Sequence, residues 1–257
     1  MKLTKDTYFT PQANAAYMSV SQFKQFRDCE ACALAEIKGE CSRPKSKAFL
    51  EGGYVDAHFS GELSEYLDAH PEILNKRSGE LKAEFVKARA AIEAAEADQM
   101  FMSFLDGERQ TILTGELFGA PWKAKPDFVL PDKIVDLKYM RDMLPVWVGN
   151  EKKTFIDAYG YDIQGYVYRQ LVYQNTGKML PFYLAVITKE EPSARSIVEI
   201  PEWKMNSVEA VLEHYSERYW SIKRGEIEPE RCERCSYCRG TMKVEHVTSY
   251  EELLQAI

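Results

Sequence analysis

The sequence lacks any run of about eighteen apolar residues, so it offers no candidate for a transmembrane helix. It also lacks an apolar signal core near its start, because Asp6 stands where such a core would begin. Cysteine is scarce, with six in 257 residues, which is too few for a disulfide scaffold. These absences predict a cytoplasmic protein whose cysteines are free thiols or metal ligands.

Positively charged residues are also fewer than negatively charged ones. The chain has 33 lysine and arginine residues against 40 aspartate and glutamate residues, for a net charge of −7. A protein that only coats DNA would be broadly basic, so this balance argues against that class. It does not exclude a nuclease, because an active site that collects carboxylates for metal ions adds negative charge, and a local basic groove can coexist with an acidic remainder.

The order of the predicted elements indicates one α/β domain over residues 1–257. Residues 1–16 are polar and predict an irregular arm. Helices are predicted over residues 19–39, 46–68, 81–104, 153–175 and 207–224, and near the C-terminus, with interruptions of the second helix at Gly52-Gly53 and at Gly61. Strands are predicted over residues 110–117, 122–130, 134–139, 182–188 and 195–200. This order favours a central mixed β-sheet flanked by α-helices.

The most informative segment runs from Pro126 to Lys138 and predicts a hairpin with two opposed carboxylates. If the turn is centred on Pro131 and Asp132, Asp127 lies across from Asp136 on the neighbouring strand. Opposed side chains in an antiparallel pair have Cβ atoms about 4.5–5.5 Å apart, so two ionised aspartates there would repel each other. A divalent cation would offset the repulsion, and aspartate oxygens suit Mg²⁺ or Mn²⁺.

Lys138 completes the predicted site. It follows Asp136 by two residues and therefore points to the same face of the strand. A lysine beside a metal-binding carboxylate pair can orient the attacking water or stabilise a charged phosphorane, as phosphodiester hydrolysis requires. The alternative is a hairpin in which the three residues are only structural, since D-x-K triplets also arise by chance.

Pro126-Asp127 followed by Asp136-Leu137-Lys138 resembles the signature of the PD-(D/E)XK nuclease superfamily. Within it, the chain is similar to the phage-type exonucleases grouped with RecE and the RecB-like nuclease domains. The resemblance implies a restriction-endonuclease-like core, metal binding by Asp127 and Asp136, and catalytic assistance from Lys138. It also implies that the carbonyl of Leu137 is a further metal ligand.

Three other places match the narrower group. The segment around His58 resembles a helix that carries an upstream metal-binding histidine, although a packing or surface histidine is the alternative. Glu116 ends the strand before Pro126-Asp127, where related enzymes place an acidic residue. Gln164 and Tyr168 resemble a Q-x-x-x-Y motif, and their spacing sets both on one helix face, from which they could contact DNA.

The segment Cys232-x-x-Cys235-x-x-Cys238 is compact enough for three thiolates to converge on one metal, with Cys29 or Cys32 as a fourth ligand. The pattern resembles AddB-type and CRISPR-adaptation nucleases, in which one N-terminal and three C-terminal cysteines hold a [4Fe-4S] cluster. Four thiolates also suit zinc, and a loop of unliganded cysteines remains a third alternative.

The leading functional hypothesis is a metal-dependent DNA exonuclease. The resemblance, rather than the residue chemistry, suggests the exonuclease mode, a role in phage-type recombination or repair, and a single-strand annealing protein as a partner. An endonuclease on the same core is the second hypothesis. A non-catalytic, metal-stapled nucleic-acid-binding protein is the third. Strand polarity, processivity and oligomeric state stay open.

Overall fold

The computed structural model of the chain describes residues 2–42, 46–244, 247 and 249–254, without the side chains of residues 252 and 253. The helices are α1 (Pro11–Ala16), α2 (Val20–Asp28), α3 (Glu30–Lys38), α4 (Lys47–Ser60), α5 (Leu63–Ala69), α6 (Ala83–Glu96), α7 (Gln99–Phe104), α8 (Phe155–Tyr159), α9 (Tyr161–Thr176), α10 (Glu202–Asn206), α11 (Glu209–Arg224), α12 (Ser236–Gly240) and α13 (Tyr250–Leu254). The strands are β1 (Glu108–Arg109), β2 (Leu113–Leu117), β3 (Ala120–Ala124), β4 (Phe128–Val129), β5 (Ile134–Met140), β6 (Val146–Val148), β7 (Glu151–Lys153), β8 (Phe182–Thr188) and β9 (Arg195–Ile200).

A mixed five-stranded sheet forms the centre of the fold, in the order β1-β4-β5-β8-β9. The β5–β8 pair is parallel, and the other three pairs are antiparallel. The connection between the parallel strands contains α8 and α9, as a crossover between parallel strands requires. This architecture confirms the predicted α/β class with helices around a mixed sheet.

Two hairpins lie outside the central sheet. The strand predicted over residues 122–130 is divided into β3, which pairs with β2, and β4, which joins the central sheet. Pro126 stands between them, and a proline has no backbone N–H to donate to a strand ladder. The second hairpin, β6–β7, occupies residues that the sequence assigned to a loop and to the start of a helix.

The sheet separates two apolar cores, and β5 contributes alternately to both. Ile134 packs in the core that contains Phe23 and Trp122, whereas Val135 and Leu137 pack in the core on the other face. Strand geometry therefore puts Asp136 and Lys138 on the same face as Ile134. That face is the one covered by α9, so the carboxylate and the lysine lie between the sheet and this helix.

The N-terminal half corrects two predictions. Cys29 is extended, with φ −168° and ψ 112°, and it divides the helix predicted over residues 19–39 into α2 and α3. The polar arm predicted over residues 1–16 contains α1, and buried Lys123 secures it by donating hydrogen bonds to Tyr8 O (2.5 Å) and Asn14 Oδ1 (2.7 Å). These bonds satisfy an ammonium that would otherwise be costly to bury.

Helix α4 runs through Gly52 and Gly53, where the sequence predicted an interruption. A Cβ atom at Gly53 would lie 2.8 Å from the hydroxyl of Tyr66, so any larger residue there would have to displace the Tyr66 ring. The Tyr66 hydroxyl in turn donates to the carbonyl of Leu50 at 2.8 Å, which ties α5 to α4. Within the described ranges, no helix combines the length and the apolar character of a membrane span.

Candidate active site

The hairpin formed by β4 and β5 has the predicted register. Phe128 pairs with Val135 and Val129 with Ile134. Extending this register by one residue sets Asp127 opposite Asp136. The ladder itself stops before that pair, and Asp127 Oδ2 instead accepts a hydrogen bond from the backbone N–H of Leu137 at 2.8 Å. The Asp127 carboxylate is thereby held against the open edge of β5.

Asp136 is 2% exposed and is bound on both sides. Its Oδ1 accepts a hydrogen bond from the side-chain amide of Gln164 at 2.7 Å, and its Oδ2 forms an ion pair with Lys138. The Lys138 ammonium also lies 5.3 Å from the ring centroid of Tyr161, at the start of α9. The carboxylate and the lysine thus form a contact pair that α9 covers.

A third carboxylate, Asp56 on α4, completes the acidic group. The side-chain amide of Gln110 bridges it to the hairpin, because Gln110 Nε2 lies 3.2 Å from Asp56 Oδ1 and 3.3 Å from Asp127 Oδ1. Gln110 has a left-handed backbone with φ 53°, which a non-glycine residue seldom adopts and which is often found at functional sites. Sequence reasoning missed both residues, although Asp56 lies in the segment quoted for His58.

The crowding of acidic groups changes their proton affinities. Burial, together with the charges of Asp136 and Asp56, raises the pKa of Asp127 well above its usual value. Burial raises the pKa of Asp56 to about 6; the charge of Lys125 opposes this shift and that of Asp136 adds to it. Both shifts arise first from burial and then from neighbouring negative charges, and both of these disfavour the ionised carboxylates.

His58 does not join these carboxylates. Its Nε2 lies 2.8 Å from Glu96 Oε1, at the end of α6. Asp56 and His58 are two residues apart on α4, which corresponds to a rotation of about 200° around the helix axis, so they cannot both face the hairpin. The prediction of His58 as the helix-borne ligand is therefore corrected to Asp56.

Glu116 is also elsewhere. Its backbone N–H binds the side chain of Gln174, and Gln174 follows Gln164 by ten residues on α9. Ten helical residues span about 15 Å, so Glu116 lies near the far end of the helix that covers Asp136. Its side chain is exposed. The prediction of Glu116 near the metal site is corrected on this geometry.

Gln164 and Tyr168 share a face of α9, as their spacing predicts. Gln164 binds Asp136, and the charges of Asp136 and Asp127 add to the effect of burial in raising the pKa of Tyr168. Tyr168 is partly buried, with its ring edge-on to Phe182 at a centroid distance of 6.1 Å. Both side chains thus border the acidic group.

The donor set fits a hard divalent cation. Asp56, Asp127 and Asp136 supply carboxylate oxygens, and Gln110 Oε1 is a buried oxygen without a hydrogen-bond partner. An extended residue presents its N–H and C=O to the same strand edge, so the Leu137 carbonyl faces the side on which its N–H meets Asp127. Oxygen ligands of this kind suit Mg²⁺ or Mn²⁺.

A second candidate metal centre joins the two ends of the chain. The sulfur atoms of Cys29, Cys232, Cys235 and Cys238 all lie within 4.8 Å of one another. Cys29 Sγ lies 3.5 Å from Cys238 Sγ and 3.9 Å from Cys235 Sγ. Of the two candidates for the fourth ligand, Cys29 is the one brought to the C-terminal cysteines. Cys32 instead lies with Glu36 and Cys41 in a separate group of metal-ligating type.

The thiols of this four-cysteine centre differ in acidity. Burial raises the pKa of Cys29 to about 12, whereas backbone N–H groups of Arg234 and Cys235 lower the pKa of Cys232 to about 6. This shift favours the thiolate form of Cys232, which is the form that binds metals. The other thiols would release protons when a metal binds.

Comparisons with known proteins agree on the fold. The model of a family described as a PDDEXK-like domain of unknown function (DUF3799) matches residues 19–241. The chain is similar to a crystal structure of a protein from Eubacterium rectale described as a "putative exonuclease", with a TM-score of 0.94 and 38% identity over 100% of both chains. The alignment with the structure of SSO0001 covers 85% of this chain and 91% of that protein, but its TM-score of 0.33 and 13% identity are too low to indicate a relationship. No curated protein matches the sequence.

Proposed function

Because the chain belongs to the DUF3799 family of PDDEXK-like domains, we propose that it is a divalent-metal-dependent deoxyribonuclease. The observation that carries this proposal is the convergence of Asp56, Asp127 and Asp136 beside Lys138, bridged and covered by Gln110 and Gln164. A hard divalent cation would neutralise the excess negative charge of the carboxylates in this partly buried pocket. The exonuclease description of the Eubacterium rectale protein supports an exonuclease mode for this chain.

The proposed metal ligands are the three aspartates, the Leu137 carbonyl and, after a rotation by about 180° of the side-chain amide that now points its NH2 group at Asp56 and Asp127, Gln110 Oε1. A bound Mg²⁺ or Mn²⁺ would supply Lewis-acid polarisation of the phosphodiester and activation of the attacking water. Lys138 contributes a fixed positive charge: burial alone would lower its pKa, but the charges of Asp136 and Asp127 outweigh burial and hold that pKa above its usual value. Lys138 therefore keeps its proton at neutral pH and stabilises charge on the phosphate rather than acting as a base.

Gln164 has a positioning role in this scheme. Its amide donates to Asp136 Oδ1 and leaves Oδ2 to Lys138, so the carboxylate is oriented before any substrate arrives. Tyr168, on the same face of α9, would line the path of the DNA strand. Recombination or repair of DNA ends, together with an annealing partner, remains the context that the resemblance to phage-type exonucleases suggests.

The test is DNA cleavage by the purified protein on linear and covalently closed circular DNA, with Mg²⁺, with Mn²⁺ and with EDTA. We expect degradation of linear DNA that requires the metal, while closed circles stay intact; opened circles would indicate an endonuclease on the same core. Asp136→Asn should lower the cleavage rate by at least about 100-fold, because a charged metal ligand is lost. Glu116→Gln is the matched control, since it removes one exposed carboxylate at the far end of α9. Unchanged cleavage by Asp136→Asn would contradict the assignment.

For the four-cysteine centre we propose a structural metal site. Four thiolates around one tetrahedral ion, with Zn–S bonds of about 2.3 Å, lie roughly 3.8 Å apart. The separations of 3.5, 3.9 and 4.0 Å are close to that value. Because each thiolate of a [4Fe-4S] cluster binds a different iron, such a cluster spreads its thiolates further. This geometry favours zinc, with the iron–sulfur cluster as the alternative.

A further inference from the structure

A groove of about 490 Å³ opens beside the candidate active site. Gln164 and Tyr168 line the end next to Asp136, and the lining continues through Lys24 and Lys125 to Tyr8 and Phe9. The groove is therefore continuous with the acidic group, although the aspartates themselves do not line it. Its walls combine ammonium groups with aromatic rings and include one carboxylate, that of Glu36, in a protein whose net charge is negative.

Lys125 lines this groove. It precedes Asp127 by two residues, and its positive charge acts on the Asp56 carboxylate. Its ammonium also lies 4.9 Å from the ring centroid of Phe9. No ion pair among the residues that the structure describes involves Lys125, so its ammonium is available for an anion from solution.

Phe9 is an unusual residue for the mouth of such a groove. It is 68% exposed, which leaves most of an apolar ring in contact with water. The ring stands edge-on to the ring of buried Tyr8, with centroids 4.9 Å apart and an interplanar angle of 83°. The Tyr8 carbonyl is in turn bound by buried Lys123. Phe9 is thus an exposed aromatic surface that directly precedes the start of α1.

We propose that the groove binds an unpaired nucleotide of the DNA strand whose phosphodiester lies at Asp127 and Asp136. A phosphate of that strand contacts Lys125, and its base stacks on Phe9. This inference rests on the proposed nuclease function and adds a substrate class to it. A base that lies on Phe9 has left its complementary strand, so the site takes single-stranded DNA or a frayed end. Aromatic stacking beside a cationic groove is how single strands are bound without sequence preference.

The test measures binding of a fluorescent oligothymidylate by anisotropy, with Ca²⁺ in place of Mg²⁺ to avoid cleavage. Stacking of one base contributes about 1–3 kcal/mol, so Phe9→Ala should weaken binding by roughly 5- to 150-fold. Phe9→Trp should retain affinity, whereas Phe9→Leu should lose most of it, because leucine is apolar but has no π-face. Trp203→Ala is the control, because Trp203 is 73% exposed and does not line the groove.

A second arm identifies the stacked base. A single abasic nucleotide is moved along the strand, and at one position it should abolish the difference between wild type and Phe9→Ala. Equal affinity of the two proteins, or a difference that persists at every abasic position, would overturn the inference. If the protein cleaves DNA with a metal but the Phe9 variants bind DNA like wild type, the nuclease proposal holds and only the stacking site at Phe9 is wrong. Absence of both cleavage and DNA binding would remove both.

Discussion

Asp56 and His58 are two residues apart on α4, and only one of them faces the hairpin that carries Asp127. The sequence pattern favoured the histidine, because the resemblance to RecB-like nucleases calls for one on this helix. The structure instead pairs His58 with Glu96 and turns Asp56 toward Gln110. This contrast between neighbouring side chains allows a matched comparison of two substitutions.

We expect Asp56→Asn to lower metal-dependent cleavage by at least about 100-fold and to weaken Mn²⁺ binding, because it removes a charged oxygen ligand but keeps the side-chain shape. His58→Gln should stay within about threefold of wild type, since loss of a partly exposed contact with Glu96 has a small energetic cost. Isothermal titration with Mn²⁺ and a nuclease assay on the same preparations would measure both effects. A strong loss in His58→Gln with a mild one in Asp56→Asn would reverse the assignment.

The parts of the candidate site that are close in sequence could be predicted, and the distant parts could not. Asp127, Asp136 and Lys138 lie within one hairpin, whose turn determines the register. Gln110 directly follows β1, a strand of two residues, and its own backbone is left-handed. No periodicity marks so short a strand or the irregular residue after it, so the sequence did not identify this glutamine as part of the site.

At the scale of elements, the four-cysteine centre connects the α2–α3 junction to α12 and the segment before it. Binding of one metal by Cys29 and Cys232 would close a loop of about 200 residues, for which the chain-entropy model gives a stabilisation of about 5 kcal/mol as an upper value. Cys235→Ser, or removal of the metal by a chelator, should lower the free energy of unfolding by up to this amount. Urea denaturation measures the loss, and metal analysis distinguishes zinc from iron.

Cys41→Ser is the matched control for the cysteine centre, because Cys41 belongs to the separate group with Cys32 and Glu36. It should leave both the metal content of the four-cysteine centre and its stabilising effect in place. A purified protein that contains neither zinc nor iron and that unfolds identically with and without chelator would contradict the centre. The junction itself supports the connection independently, since Glu30 accepts hydrogen bonds from Arg218 and from the backbone N–H of Glu230.

Elements with strong local patterns were predicted at their observed positions. The strands β8 and β9 have the predicted ends, because β-branched and apolar residues fill β8 and make up half of β9, and turn residues separate the two. The α2–α3 break could not be predicted in the same way. It depends on Cys29 meeting three residues about 200 positions later, and local helix propensity continues straight through it.

The whole molecule combines a negative net charge with a proposed anionic substrate. The match to DUF3799 confirms the superfamily resemblance first drawn from Pro126-Asp127 and Asp136-Leu137-Lys138. Affinity for DNA must then come from a local set of cations rather than from overall charge. Lys24 and Lys125 line the groove, and Lys138 lies beside the acidic group, so three ammonium groups follow the proposed strand.

The salt dependence of binding tests this local view, because each phosphate neutralised on a single strand contributes about −0.7 to the slope of log K against log salt concentration. Three lysines predict a slope of about −2 for oligothymidylate in Ca²⁺. Lys125→Met should reduce its magnitude by about 0.7, whereas Lys152→Met, on the β6–β7 hairpin and outside the groove, should leave it unchanged. If both substitutions reduced the slope equally, the lysines would act through a diffuse positive field that does not distinguish them. The proposed path of the strand along Lys125 would then be wrong.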